Sequence, residues 1–468
     1  MDIHEYVSHD AVGLSELIAT GKVSSAEVEE VARRALEVAN AQVNGLTRPL
    51  FPEALAHSGD GPFAGVPFLI KDLGPIAEGV PFSIGCRGIP DIPAHHDTDL
   101  MKRFRKAGLA TLGQTTAPEM AISFATESVK YGVTRNPWDL SRGAGGSSGG
   151  SAALVAAGAV PLAHGGDGAG SLRVPASACG LVGLKPSRGR TTSGPDMGEP
   201  MLGMAYEFAL TRSVRDCAHL LDAVHGPGVG DKYTAPPPVR SYAEELGADP
   251  GRLRVAVTTT AWSGSAVAPE VAGAALAVAA KLEELGHHLA EASPVVDWDE
   301  AMEGLSAQLV AVAAPVLLAP RQPPVELLEP LSVLLLDFAR RTGSVELLRL
   351  LGAQNRVSRS VGAFFTSYDL LVTPTLGQLP LPHGSLVQQE TMRGWLDQLF
   401  AYGPFTMLFN VTGQPAISLP LGQSASGLPI GVQLVAPYGR EDLLFRVASQ
   451  LEAAMPWNNR WNPLVTRC

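Results

Sequence analysis

Apolar positions recur along the chain at two different periods. Near the start, Val28, Val31, Ala32, Ala35, Leu36 and Ala39 keep helical spacing behind Ser24 and Glu27, a capping-box pair, so the pattern predicts a helix with one packed face. From about residue 64 the pattern shifts to short apolar runs of β character: GVPFLI from Gly65, LATLG from Leu109, AVPLAHG from Ala159, LVGLK from Leu181 and LRVAV from Leu253. Helical segments separate them: TDLMKRFRKAG from Thr98, SVRDCAHLLDAV from Ser213, and PEVAGAALAVAAKLEELG from Pro269, which Gly286 stops. Such alternation predicts an α/β fold with a sheet covered by helices on both faces.

Residues 295–366 read as a second block, mostly helical, apolar and punctuated by proline, with a Pro-rich turn at RQPP from Arg321. It has the character of an insertion that shapes a substrate pocket. Strand character returns in YDLLVTPT from Tyr368 and PAISLP from Pro415, and a helical run, EDLLFRVASQLEAA from Glu441, follows. Neither half offers enough strands for a core of its own, so the late strands are expected to complete the first sheet. One domain over 1–468 is predicted, with its densest motifs in 60–190.

Composition narrows the classes of function. Thirty-five basic against 46 acidic residues leave a net charge of −11, which repels phosphate backbones and anionic lipid, so neither nucleic acid nor membrane is an expected partner. Fifty glycines and 37 prolines occur beside 46% hydrophobic residues, a balance that places the excess in ordered turns and not in disorder. The start MDIHEYVSHD lacks the basic and apolar regions of a signal peptide. The longest apolar run, LVAVAAPVLLA from Leu309, is interrupted by Pro315 and reads as a buried helix. Cys86, Cys179, Cys217 and Cys468 form no CxxC pair and no Cys/His cluster, so no metal or other cofactor is expected, and a reduced cytoplasmic compartment fits.

The chemistry is concentrated in SRGAGGSSGGSAALVAAGAVPLAHGGDGAGSLRVPASACGLVGLKPSRGR, from Ser141 to Arg190. Two glycine-rich loops lead into helix starts: GGSSGGS from Gly145 and GGDGAGS from Gly165. Glycine lets backbone N–H groups converge on negative charge. A phosphate loop needs a Lys-Ser or Lys-Thr step, which is missing here. An α/β-hydrolase elbow is matched literally by Gly146, Ser148 and Gly150, but RNPWDLSRGAGG before it reads as loop where the elbow needs a strand. Glycine turns with incidental serines are the structural alternative for any one of these residues.

The coincidence of Lys71 ending VPFLI, Ser147 in the first loop and Ser171 in the second decides among these. With the runs FAGVPFLIKDL, TRNPW, DGAGSLRVPASACG, VGLKPSRGR, FNVTGQPAISLP and PYGREDLL, the chain resembles the amidase signature family over nearly its whole length. Within it, the resemblance is greatest to the branch that hydrolyses the 6-aminohexanoate cyclic dimer. That resemblance implies a central mixed β-sheet covered by helices and the hydrolysis of an amide. Carried over by position, Ser171 matches the nucleophile, Ser147 the bridging serine on a cis peptide bond, and Lys71 the base.

The chemistry is sound without histidine. A serine hydroxyl needs a neighbour to take its proton, and a relay through Ser147 to a neutral Lys71 amine does so, provided burial holds the lysine neutral for part of the cycle. Backbone N–H groups of Gly168, Ala169, Gly170 and Ser171 would form the oxyanion hole. Most family members have two glycines before the nucleophile; Ala169 replaces one here, and a positive φ there would strain the loop. Asp167 and Arg173 are expected to hold the loop as a buried charge network, Ser148 to donate a supporting hydrogen bond, and His164 and Cys179 to be structural.

The pocket walls expected from family position are MAISFATES from Met120, with Ile122, Ser123 and Phe124, the helical block from about 302 to 340, and FNVTGQPAIS from Phe409. Their lack of fixed charge implies an uncharged, fairly apolar amide, linear or cyclic. A small-molecule amide is thus the expected partner, with a homodimer left open as the assembly. The alternatives are a glutaminase subunit of a glutamyl-tRNA amidotransferase, disfavoured by GDGAGS in place of an SDTGGS-like loop and by an apolar pocket; an inactive scaffold; and an esterase that uses Ser148.

Overall fold

The amphipathic runs fold as their periods require. The computed structural model describes residues 1–461 and 463–467; Cys468 lies outside the described residues. The first helix of the sequence reading forms over Ser25–Val43 with Ser24 and Glu27 capping each other reciprocally, and its apolar positions are buried. GVPFLI and LATLG become β1 (Pro67–Lys71) and β2 (Ala110–Thr115), a parallel pair linked by the helix Asp99–Ala107. That helix ends at Gly108, whose φ of +91° supplies the left-handed cap.

The main sheet has eight strands: β3 (Leu162–Asp167), β4 (Val182–Lys185), β5 (Tyr206–Thr211), β6 (Arg254–Val257), β7 (His288–Glu291), β8 (Leu370–Pro374), β9 (Ala416–Gln423) and β10 (Pro429–Val435). Their spatial order is β7-β6-β8-β10-β9-β4-β5-β3, with β6 parallel to both neighbours and every other pair antiparallel. The sheet is mixed and flanked by helices. Strands from before residue 212 (β3, β4, β5) and after 253 (β6 to β10) lie side by side in the one sheet, joined where β9 pairs with β4. The pair β1–β2 lies beside β3, which brings the end of β1 against the end of β3.

One loop assignment differs from expectation. The second glycine-rich segment was expected to be loop from Gly165, but Gly165–Asp167 complete β3, paired with Phe208, Glu207 and Tyr206. Glycine is needed there for packing: a Cβ on Gly165 would stand 2.8 Å from Leu172 and 3.0 Å from Ser148 Oγ. The stop at Gly286 is found where it was expected: Leu285 caps the helix Pro269–Glu284, and Gly286, at φ +96°, turns the chain away.

The block at 295–366 contains three helices, α3 (Trp298–Leu317), α4 (Pro330–Arg341) and α5 (Ser344–Phe364); α1 (Gly149–Ala156) and α2 (Arg173–Cys179) precede them, and α6 (Met392–Tyr402) follows. Pro315 lies inside α3 and does not end it. By length and composition α3 is apolar enough to cross a membrane, yet half of that stretch is buried inside the protein. Its buried face joins α4, α5 and α6 in a second apolar cluster, apart from the one beneath the main sheet.

Candidate active site

Three chain segments meet where β1 and β3 end. Lys71 is the last residue of β1 and is buried, Ser147 and Ser148 close the loop that enters α1, and Ser171 lies between β3 and α2. Lys71 Nζ donates to Ser147 Oγ at 2.8 Å and to Ser148 Oγ at 3.1 Å. The Gly146–Ser147 peptide is cis, as the family position implied. Close packing dictates the glycines around it: a Cβ on Gly149 would meet Thr126 Oγ1 at 2.3 Å, and one on Gly150 would meet Thr116 Oγ1 at 2.4 Å.

Burial pushes the Lys71 ammonium down to about 8, against the opposing pull of the Glu207, Asp167 and Asp72 carboxylates. A minority of this lysine, far larger than for an exposed one, is therefore neutral near neutral pH. Ser147 and Ser171 open on the same cavity as Lys71. The hydrogen-bond chain nevertheless stops at Ser147, because the Ser171 hydroxyl makes no hydrogen bond to it.

Ser148 is fully buried and is absent from the cavity wall. Its hydroxyl donates to the Gly166 carbonyl at 3.2 Å.

Between Asp167 and Leu172 the backbone N–H groups of Gly168, Ala169, Gly170 and Ser171 have no acceptor among the described residues, whereas Leu172 N–H donates to Asp167 Oδ2 at 3.2 Å. The positive φ in this loop belongs to Gly170, at +142°, and not to Ala169. A Cβ on Gly170 would stand 2.4 Å from Thr406 Oγ1, so the position that tolerates only glycine has kept it. Alanine at 169 carries no backbone strain.

Asp167 and Arg173 form the expected buried network. Arg173 Nε and Nη2 grip the two Asp167 oxygens at 3.0 and 2.9 Å. The remaining guanidinium hydrogens go to the Thr406 carbonyl, Gln433 Oε1 and Asn410 Oδ1. Burial alone would raise the Asp167 carboxyl, but the Arg173 guanidinium, helped by Asn410 and Lys185, outweighs it, and the group is held below its usual range. Thr406 Oγ1 then donates to the Ala169 carbonyl at 2.7 Å, which ties the loop to the same network.

The cavity is narrow, with about 60 Å³ open to a water-sized sphere. Ile122, Ser123 and Phe124 line it, and Leu305, Gln308 and Leu309 of the helical block line the facing wall. The segment from Phe409 does not: its Asn410 sits beneath the loop, where Nδ2 donates to the Asp167 carbonyl oxygen and Oδ1 at 2.8 Å each. That expectation is corrected, and the physical reason is that the helix Leu408–Thr412 is buried under the site and supports it. The wall it was expected to form comes from α6, through Trp395, Leu396, Leu399 and Phe400.

Sequence reading also missed Glu207. It pairs with Gly166 across β3 and β5, lines the cavity, and holds His164 Nε2 to Oε2 at 2.6 Å. Its only signal was an acidic residue inside an apolar run, YEFAL. His164 is fully buried, burial pushes its imidazole down against the pull of Glu207, and Nδ1 accepts the Lys71 backbone N–H at 3.4 Å. Cys179 is buried, its thiol is pushed up by burial, and Sγ donates to the Ala144 carbonyl, the environment of an inert hydrophobe.

The chain as a whole resembles known proteins. The profile of the Amidase family matches residues 27–445. The 6-aminohexanoate-cyclic-dimer hydrolase of Paenarthrobacter ureafaciens is 40% identical over 476 residues, covering 96% of this chain and 95% of the relative. A putative amidase, AmiC, of Mycobacterium tuberculosis strain H37Rv is 38% identical with the same coverage. The solved structure of 6-aminohexanoate cyclic dimer hydrolase complexed with substrate superposes with a TM-score of 0.91 at 38% identity, over 98% of this chain and 99% of that one. The chain therefore belongs to the amidase signature family, hydrolases that act on carbon–nitrogen bonds other than peptide bonds.

Proposed function

We propose that the protein is a serine amidohydrolase that cleaves the carboxamide bond of an uncharged, fairly apolar amide, linear or cyclic, through an acyl-enzyme on Ser171. The single observation that carries this reading is the 2.8 Å contact from a fully buried Lys71 to Ser147, beside a Ser171 that opens on the same cavity. The cyclic diamide named for the relatives fits this substrate class. The block 295–366 acts as the pocket-shaping insertion of a single amidase domain, a role supported by Leu305, Gln308 and Leu309 in the wall.

In the first half-reaction the Ser171 hydroxyl turns toward Ser147 and its Oγ attacks the amide carbon. The Ser171 proton passes to Ser147 Oγ as the Ser147 proton passes to neutral Lys71 Nζ. Free N–H groups between Gly168 and Ser171 receive the developing oxyanion, each donor contributing about 3 kcal/mol to the barrier reduction. Lys71, now an ammonium, returns its proton through Ser147 to the amide nitrogen; the C–N bond breaks and the amine departs. Water then attacks the ester carbon and gives a proton along the same path, the C–O bond to Ser171 breaks, and Ser171 recovers its proton. Ser148, buried away from the cavity, does not serve as the nucleophile, which disfavours the elbow-type esterase.

Release of primary amine from the 6-aminohexanoate cyclic dimer and from linear N-alkyl amides tests the reading. Turnover that vanishes in Ser171→Ala is expected. Turnover that survives Ser171→Ala and vanishes in Ser148→Ala contradicts it.

A further inference from the structure

One polar side chain in the cavity has no task in the chemistry above. Gln308 projects from α3 between Leu305, Leu309 and Val312, and it is 7% exposed. Its Oε1 is buried and accepts no hydrogen bond among the described residues. Its Nε2 lies 3.0 Å from the point that a Cβ on Gly168 would occupy, so the carboxamide reaches the first residue of the loop that leads to Ser171. Buried acceptors are normally satisfied, and leaving one without a donor is costly. Such a group inside a binding cavity finds its donor in the ligand.

We infer that Gln308 is a specificity-determining residue: its side-chain carbonyl accepts an N–H from an amide group of the substrate. This inference rests on the amidohydrolase reading and deepens it. An ester of the same shape has an oxygen where the amide has N–H, and an N-methylated amide has lost the hydrogen, so neither satisfies Gln308. The apolar wall around it accepts the acyl chain common to all three alike. Discrimination between amide and ester is thereby placed on one residue of the helical block, apart from the groups that move protons. Gln308 touches the substrate but takes part in no bond-making step.

The test compares three substrates that share one apolar acyl chain: a p-nitroanilide, its N-methyl counterpart and the p-nitrophenyl ester. Each is assayed with the wild type and with Gln308→Met and Gln308→Leu, two apolar replacements of similar length whose folding is checked by circular dichroism. Loss of one hydrogen bond lowers kcat/KM for the anilide about tenfold, or about 1.4 kcal/mol. The ester and the N-methyl anilide change less than threefold. Equal losses on all three substrates would make Gln308 a packing residue, and no loss on the anilide would remove it from recognition; either result overturns the inference while leaving the amidohydrolase reading intact. If the wild type turns over none of the three and releases no amine from the 6-aminohexanoate cyclic dimer, the amidohydrolase reading itself falls, and this inference falls with it.

Discussion

Consider the pH at which Lys71 becomes a base. An ordinary lysine loses its proton near 10.5, whereas burial brings this one to about 8. At pH 7 that raises the neutral fraction from about one in 3,000 to about one in eleven, close to a 300-fold gain in competent base. The sign is fixed: the proposed relay needs the neutral amine, so kcat/KM must rise with pH through the Lys71 transition and level off above it. Glu207 heads the carboxylates that hold the value up, so Glu207→Gln removes a charge that favours the ammonium, and the acid limb moves to lower pH. The assay is kcat/KM for a neutral amide between pH 6 and 10, with wild type and Glu207→Gln measured side by side. An acid limb centred near 8 that moves down in the variant is expected. A profile flat over that range, or a limb that moves up in Glu207→Gln, refutes the assignment of Lys71 as the base.

Other outcomes follow from packing and burial. Gly170→Ala forces a Cβ to within 2.4 Å of Thr406 Oγ1 at a φ of +142°, so it should cost about 2–3 kcal/mol in denaturant unfolding and abolish turnover. Ala169→Gly relieves nothing, because Ala169 is not at positive φ; turnover stays within about twofold, and any loss of stability is below about 1 kcal/mol. Arg173→Met leaves the Asp167 carboxylate buried without its partner, a change worth about 3–5 kcal/mol of stability by equilibrium unfolding. Cys86, Cys179 and Cys217 are free and buried, so iodoacetamide should leave all three unmodified by peptide mass in the native protein and alkylate them once it is unfolded.

Much of this fold was legible because its periods are clean. Ser24 and Glu27 announced the first long helix, and GVPFLI, LVGLK and YDLLVTPT announced strands. The glycine-serine region was legible through residue type: the chemistry needs a lysine and two serines, and each occupies a distinctive local motif. The limits lay where tertiary contacts decide. Gly165 and Gly166 read as loop because strand propensity counts against glycine, yet β5 pairs with them and Leu172 needs the space. Tyr206–Thr211 went unrecognised as a strand, and with it Glu207, whose side-chain partner His164 lies 43 residues away in sequence. Asn410 was placed in the pocket wall on family position, while its carboxamide turns under the loop to Asp167. Which side of a wall a residue faces is set by packing between distant segments, and no local pattern encodes it.

The central claim is that Lys71 and Ser147 activate Ser171. It is tested most directly by treating the purified protein with a fluorophosphonate and locating the adduct by peptide mass in the wild type, Lys71→Ala and Ser171→Ala. The expected result is a label on Ser171 that is lost in both variants. A label on Ser148, or an unlabelled Ser171 in folded wild-type protein, would contradict it.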